Sequence, residues 1–419
     1  MSPRLAALDG LSQIIGEGRM LSDVVADPGW QEFTPSERAT AQRLMVETLR
    51  YLGRADHLLK PHLQRQPPLR VMNLLRMATA ELMTGGAAHG VVNDAVKLAG
   101  RNRKTAPMKG LVNAVLRKIA ALGEDAWQKA PDTMLPKWLR PKLVKAWGKP
   151  AVVAVERAHA VPPPVDLTVK SDAEGWAKTL GGTVLPTGSV RLPAGGQISA
   201  LEGFSAGEWW VQDAAAAMPA QLLGDVAGQS VLDICAAPGG KTMQLAAAGA
   251  HVTSLDISEA RMKRLSENLS RTGLSAEVVV ADALTYPLEG QFDAILLDAP
   301  CTATGTIRRH PDLPYVKTQT SIDDLVALQR NLLNRTVRRL KPYGRMVYCT
   351  CSLLREEGED QIEWLLRQSD DLEILPPDFA GLDPEWIGPG GGVRLRPDYW
   401  PDIGGMDGFF MALVQRKGG

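Results

Sequence analysis

Four cysteines and three aspartates are the side chains whose types and spacing could do chemistry in this 419-residue chain: Cys235, Cys301, Cys349, Cys351, Asp256, Asp282 and Asp298. The cysteines stand far apart or, at Cys349 and Cys351, at CxC spacing, which suits neither a disulfide framework nor CxxC zinc pairs. No metal is expected, and free thiols fit a reducing compartment. All four fall at or just beyond the carboxyl end of a segment that reads as a strand. Cys235 and Cys349, set among apolar strand residues, read as small core side chains. Cys301 and Cys351 lie further out, where a substrate could be reached.

The stretch 231–242, VLDICAAPGGKT, reads as a buried strand entering a turn of small residues, Cys235, Ala236, Ala237, Pro238, Gly239 and Gly240, ahead of a helix starting near Lys241. Such a backbone can approach a ligand closely, and the helix start turns its positive end toward it. Three ligands compete for it. A triphosphate loop, GxxxxGK[ST], lacks its first glycine, which is Cys235 here, and Pro238 removes one amide donor. The dinucleotide fingerprint GxGxxG is absent. S-adenosylmethionine needs no pyrophosphate cradle: Asp256 would take its ribose hydroxyls, Asp282 would lie beside its adenine, and Asp298 would face the substrate. Each aspartate alone reads as a strand-end cap, but three ending successive strands favour the cofactor. Lys241 is expected at the cofactor or at an oxygen of the Asp298 loop.

The elements that must carry these residues follow from periodicity. Residues 1–125 read as helical throughout, with Thr34, Pro35 and Glu37 forming a capping box and helices expected near 69–83, 91–99 and 110–122. A proline-rich stretch, 126–215, reads as a small α/β connector in which Trp209 and Trp210 are core residues. Beyond 216, strands near 231–235, 251–256, 277–281, 293–298, 345–350 and 408–414 alternate with helices, the pattern of a doubly wound, mostly parallel sheet that binds ligands outside its carboxyl ends. Equal counts of acidic and basic residues, 47 each, weigh against an indiscriminate nucleic-acid binder. Charge is nonetheless uneven: between Lys97 and Lys118 there are bases, among them Arg101, Arg103 and Lys104, and no acid, whereas the segment from Glu356 to Glu373 is acidic and reads as a solvated face. No apolar run is long enough for a membrane helix, and the start carries no signal-peptide pattern, so a cytoplasmic protein with no membrane partner is expected.

Two resemblances sharpen this. GGAAHGVVNDAVKLAGRN followed by KGLVNAVLRKIA resembles the RNA-binding helical domain of the antitermination-factor NusB type. DAPCTATG at 298–305 and CTCS at 349–352, with DICAAPGGKT, VQDAA and DGFF, resemble the two-cysteine NOL/NOP/Sun family of RNA cytosine-5 methyltransferases over roughly 131–417. With the NusB-like front, the order is similar to the bacterial Sun/Fmu type, which acts on small-subunit ribosomal RNA. The resemblance implies a multidomain chain: an all-α NusB-like bundle (1–125), an α/β connector (126–215) and a Rossmann-like class I methyltransferase domain (216–419) dependent on S-adenosylmethionine. It makes Cys351 the nucleophile that adds to cytosine C6 and Cys301 the thiol that assists release, with Asp298 at the N3 edge. The chemistry is consistent, because C5 is too poor a nucleophile until a thiolate adds at C6. Cys351 then needs a lowered pKa, from a helix start or a cation. Arg308, Arg309 and His310, just after the Cys301 loop, are expected to clamp RNA phosphates. Two departures stand out: Thr302 replaces the serine after the first cysteine, and LTVK at 167–170 replaces an LRVN-like strand. A catalytically idle RNA-binding assembly factor is the alternative, against which the intact cysteine pair argues.

Overall fold

The computed structural model describes residues 2–193 and 197–418. The chain divides into two compact units: Met1–Pro162 with Ile307–Thr318, and Pro163–Thr306 with Gln319–Gly419.

The first unit is helical. Its helices run Pro3–Glu17, Leu21–Ala26, Pro35–Arg50, Leu52–Leu59, Leu69–Met83, Ala88–Arg101, Lys109–Ala120, Gly123–Lys129 and Arg140–His159. The expected capping box forms: Glu37 N–H donates to Thr34 Oγ1 (3.3 Å) and Thr34 N–H to Glu37 Oε2 (3.0 Å), so two amides that a helix start leaves orphaned are satisfied reciprocally. Leu69–Met83 is the centre of the unit, buried on every side from Val71 to Glu81, as a helix wrapped by others must be. The segment Ile307–Thr318 belongs here because of its own side chains. Tyr315 and Val316 pack on the helical core, and Asp312 accepts the Leu21 amide at 2.9 Å, capping a helix that has no side-chain cap of its own.

The second unit holds two sheets. Strands β1 (Val165–Val169), β2 (Thr183–Val184), β3 (Val190–Leu192) and β4 (Trp209–Val211) form an antiparallel sheet in the order β2-β3-β1-β4. The larger sheet contains β5 (Ser230–Ile234), β6 (His251–Asp256), β7 (Glu277–Val280), β8 (Phe292–Asp298), β9 (Leu340–Thr350), β10 (Leu372–Ile374), β11 (Val393–Leu395) and β12 (Phe409–Arg416). Its order is β10-β12-β9-β8-β5-β6-β7, with β11 beside β12. From β5 to β9 the pairings are parallel, and β10, β11 and β12 close it antiparallel. Helices Gly240–Ala247, Glu259–Thr272 and Gln319–Val337 make the crossovers. Period-2 alternation divides the core between two faces. Val231, Leu296 and Val347 lie on one, and Leu232, Ile295 and Tyr348 on the other. Both faces are covered, so β8 is apolar without a break from Ala294 to Leu297.

The expected connector is not a unit of its own. Its helical part joins the first unit, where Trp127 and Ala130 enter the core, and its strands join the second. The small sheet is tied to the helix Ala214–Leu222 by Asp166, which takes Arg191 through two bonds of 2.7 Å and the Ala214 amide at 3.1 Å. Trp209 and Trp210 are core residues, their indole N–H groups donating to the Glu202 carbonyl (3.0 Å) and to Gln212 Oε1 (2.8 Å).

Asp166 is fully buried against a nearly buried Arg191. Replacing it by alanine leaves a guanidinium without its partner, so Asp166→Ala is expected to lower unfolding stability by about 3–5 kcal/mol. Urea denaturation checks this; a loss under about 1 kcal/mol would mean that the pair does not hold the small sheet.

Candidate active site

The site assembles at the carboxyl edge of the large sheet, where parallel strands leave room for loops. After β5 the backbone turns through Cys235 (φ 60°) and Gly239 (φ 103°) into the helix Gly240–Ala247. A Cβ on Gly239 would lie 2.8 Å from Leu265 Cγ, so only glycine fits both that conformation and that approach. Asp256, at the end of β6, clamps the turn: Oδ2 accepts the Ala237 amide at 3.2 Å and Oδ1 accepts Ser258 N–H at 2.9 Å. Each oxygen keeps a further lone pair for a hydroxyl donor. Asp282, past the end of β7, accepts the Leu284 amide at 2.8 Å and so caps its own turn.

Asp298 ends β8. Its Oδ2 accepts from Lys241 Nζ at 2.8 Å, and the Cys349 thiol donates to Oδ1 at 3.6 Å. Lys241 therefore chooses the Asp298 carboxylate, with the Phe409 ring 5.1 Å from its ammonium. Burial works against that ammonium, but the charge of Asp298 and its hydrogen bond outweigh it, and the lysine is held above its usual range. Cys235 and Cys349 are both pushed up by burial and then by neighbouring aspartates. Neutral thiols are poor nucleophiles, which agrees with their core role.

Cys301 and Cys351, 50 residues apart in sequence, bring their sulfurs to 3.5 Å. The Cys301 thiol is pushed well above the ordinary range, first by its hydrogen bond to Cys351, then by burial, then by the charges of Cys351 and Glu357.

One residue fixes both cysteine loops. Glu357 is completely buried. Its carboxylate accepts from the Thr302 amide (2.9 Å), Thr302 Oγ1 (2.5 Å), Ser352 Oγ (2.6 Å) and Gln329 Nε2 (3.1 Å). Its carbonyl accepts from Tyr348 Oη (2.9 Å) and Thr350 Oγ1 (3.1 Å). Glu357 thus binds the residue following each cysteine. The expectation of a solvated acidic face is corrected here, and likewise at Glu359, which pairs with the buried Arg394 at 2.6 Å. Arg394 in turn donates to the Ser352 carbonyl. The discernible signal is the hydroxyl beside each cysteine, Thr302 and Ser352: buried hydroxyls in a loop need an acceptor, and an acid five residues past Ser352 can supply it. Gly305 completes the join, accepting Gly408 N–H at 2.8 Å and donating to the Cys351 carbonyl at 2.9 Å. A Cβ on Gly305 would fall 1.9 Å from the Gly408 oxygen.

The residues assigned to RNA divide. Arg101, Arg103 and Lys104 are exposed on the helical unit. Arg308 is corrected: it is 2% exposed within that unit, its carbonyl taken by Arg50 Nη2 at 2.7 Å, so it anchors its own segment and is not a solvent-facing clamp. Arg309 is half-buried and His310 exposed beside it.

Two outcomes follow. Glu357→Ala strands several buried donors, so it should cost about 3 kcal/mol or more and speed the labelling of Cys301 and Cys351 by a thiol reagent; unchanged labelling would mean that the loops hold without it. Burial, against Thr242 and Lys241 and reinforced by Asp298 and Asp256, pushes the Asp233 carboxyl up to about 7. Its unfolded value is about 4, so the folded state binds the proton more tightly, and this contribution to stability falls as pH rises from about 4 to about 7. Asp233→Asn is expected to melt above the parent near pH 8 and level with it near pH 4, by calorimetry on the cofactor-free protein; a pH-independent difference would refute the shift.

Residues 220–415 match the family model described as 16S rRNA methyltransferase RsmB/F, and residues 1–121 match the NusB family. The ribosomal RNA small subunit methyltransferase B of Klebsiella pneumoniae (strain 342) is 34% identical over 443 residues, covering 99% of this chain and 98% of that protein. Its counterpart in Cronobacter sakazakii is 34% identical over 399 residues, covering 88% and 91%. Among solved structures, PH0851 superposes over 99% of both chains with a TM-score of 0.75 at 22% identity, a likeness of fold. A methyltransferase homologue from Pyrococcus horikoshii gives a TM-score of 0.56 at 29% identity, covering 66% of this chain and 93% of that one. A helical NusB domain ahead of a Rossmann-like sheet, with the Klebsiella pneumoniae relative matching 99% of the chain, places the chain in the RsmB/F family of 16S rRNA methyltransferases.

Proposed function

We propose that this protein methylates C5 of a cytosine in small-subunit ribosomal RNA, through a covalent bond between Cys351 and C6. The observation that carries this reading is the Cys301–Cys351 pair, 3.5 Å apart, beside an Asp298 carboxylate held by Lys241.

The donor is S-adenosylmethionine, and the turn fits it. Cys235 to Gly240 present small side chains, the Asp256 oxygens retain acceptor capacity, and the buried Asp233 Oδ1 has no hydrogen-bond partner. Ala236, Ala237, Pro238, Gly239, Gly240 and Cys235 would line the cofactor, Asp256 would take its ribose hydroxyls and Asp282 would lie beside the adenine. When bound, the cofactor supplies a methyl group on a sulfonium.

The chain's own residues do the remainder. Cys351 reacts as thiolate: its sulfur bonds to C6, and the electron pair of the C5–C6 double bond makes C5 nucleophilic. Asp298, fixed by Lys241, meets the N3 edge and orients the ring, and the Lys241 ammonium beside it offsets the negative charge developing there. Once Cys351 is bonded to C6 its sulfur is a neutral thioether, which weakens the hydrogen bond and removes the charge that both hold the proton on Cys301. Cys301, once it has given its own proton to solvent, can then act as base and take the proton from methylated C5; the C5–C6 double bond re-forms as the Cys351–C6 bond breaks, and Cys351 leaves as thiolate. Extracting a stacked base costs a few kcal/mol, so backbone contacts must hold the distorted RNA. The exposed Arg101, Arg103 and Lys104 of the NusB domain are suited to this.

Incubation with labelled S-adenosylmethionine and unmodified 16S RNA should transfer label at cytosine C5. Cys351→Ala should abolish both transfer and covalent complex, whereas Cys301→Ala should accumulate a protein–RNA complex that survives a denaturing gel. Transfer by Cys351→Ala would sink the assignment of the nucleophile. Neutralising Arg101, Arg103 and Lys104 together should weaken RNA binding and flatten its salt dependence by about one unit of slope per lost phosphate contact; unchanged binding would leave the NusB domain a packing module.

A further inference from the structure

A cluster of arginines lies at the edge of the large sheet opposite the cysteines. The helix Gln319–Val337 runs back from the catalytic edge, so its end lies at the start of β9. There Asn331, Asn334, Arg335, Arg338 and Arg339 line an open groove of about 540 Å³ with Leu284. Positions 331, 334 and 335 follow the i, i+3, i+4 spacing of one helical face, and Arg338 and Arg339 follow in the turn after it, so the amides and guanidinium groups line one groove. Every polar side chain lining the groove is a hydrogen-bond donor, and none is a carboxylate. Arg335 is a fixed charge, held by the Tyr286 carbonyl. None of Arg335, Arg338 and Arg339 makes an ion pair among the described residues. In the adjoining groove, lined in part by Asn334 and Arg338, the one carboxylate is Asp371, which is paired with Arg416 at 3.6 Å.

Like charges set side by side without counter-charges repel one another, and a polyanion relieves that repulsion. In a chain with equal acidic and basic totals, 47 each, such a cluster is a local feature and not a consequence of overall charge. Guanidinium forks match phosphate oxygens in geometry, and asparagine amides add donors without a charge to neutralise. Phe292, whose amide donates to the Arg339 carbonyl, and Asp298 mark the two ends of β8, six residues apart, which at about 3.3 Å per residue separates the arginine end of the groove from Asp298 by about 20 Å.

We propose that this groove is a second RNA-binding surface, taking the phosphodiester backbone of the substrate about 20 Å from the reacting base. The proposal rests on the reading of this chain as an RNA methyltransferase, and it adds that the substrate must be long enough to reach from one edge of the sheet to the other. The surface reads phosphate, so it positions RNA without selecting sequence.

The test uses the full chain, a 16S RNA transcript, and the variants R338Q/R339Q and R338K/R339K, with Arg335 left intact to preserve its bond to Tyr286. Filter binding across a salt titration, without cofactor, should show the slope of log affinity against log salt falling by about 1–2 in the glutamine variant. KM for the transcript should rise about threefold or more, with kcat at saturating RNA unchanged. The lysine variant, which keeps the charges, should restore the slope. Unchanged slope and KM overturn the proposal. So does a loss confined to kcat, or an equal loss in the lysine variant, which would point to arginine-specific docking of a protein. A parent chain that binds the transcript but transfers no methyl group would sink the methyltransferase reading, while the salt slopes would still decide this surface.

Discussion

The buried carboxylate of Glu357 is the constraint on which the catalytic edge depends. Two loops that leave different strands, one after β8 and one after β9, must present sulfurs within 3.5 Å of each other. Loop backbones do not hold such a distance unaided, because their amides and hydroxyls prefer water. Glu357 removes that freedom by accepting from Thr302, Ser352 and Gln329 at once. Inside a low-dielectric core an ionised acceptor with several donors is strong when satisfied and costly when not, so the arrangement tends to be held entire or lost. Arg394 extends it, joining Ser352 to Glu359.

The second organising feature is the placement of charge around the turn after β5. Asp233, Asp256 and Asp298 lie at or near neighbouring strand ends; burial elevates the Asp233 carboxyl, and the charges of Asp298 and Asp256 add to it. Lys241 offsets it by binding Asp298. The same pair gives the Asp298 carboxylate a defined orientation. The two core thiols nearby, Cys235 and Cys349, are kept neutral by burial and by these aspartates. Four thiols at one edge therefore do not all compete as nucleophiles.

Much of this was legible in the residues. The alternation of strands and helices after β5, the closing strand β12, the capping box at Thr34 and the core role of Trp209 and Trp210 all follow from periodicity and local hydrogen bonding, which need only nearby residues. The glycine turn and the three strand-end aspartates were legible for the same reason. The connector was not, because what assigns Trp127 to one unit and Asp166 to the other is which core each enters, and that is a contact between distant segments. Arg308 misled in the same way. A basic residue after a catalytic loop looks solvent-facing until its segment is seen to cap and fill another unit, as Asp312 and Tyr315 do.

By itself, then, the sequence determined the class of fold, the small-residue turn after β5 and the placing of the cysteines at strand ends, since each depends on residue type and short-range spacing. Only the tertiary structure decided which acid is buried and which is solvated: Glu357 and Glu356 are adjacent and chemically alike, yet one is wholly enclosed. It also decided that Cys301 and Cys351 meet, that Lys241 takes Asp298, and that three arginines gather at the far edge. The physical reason is common to all of them. Burial and distance are properties of surroundings that chain neighbours do not supply, and an ionisable group takes its role from those surroundings.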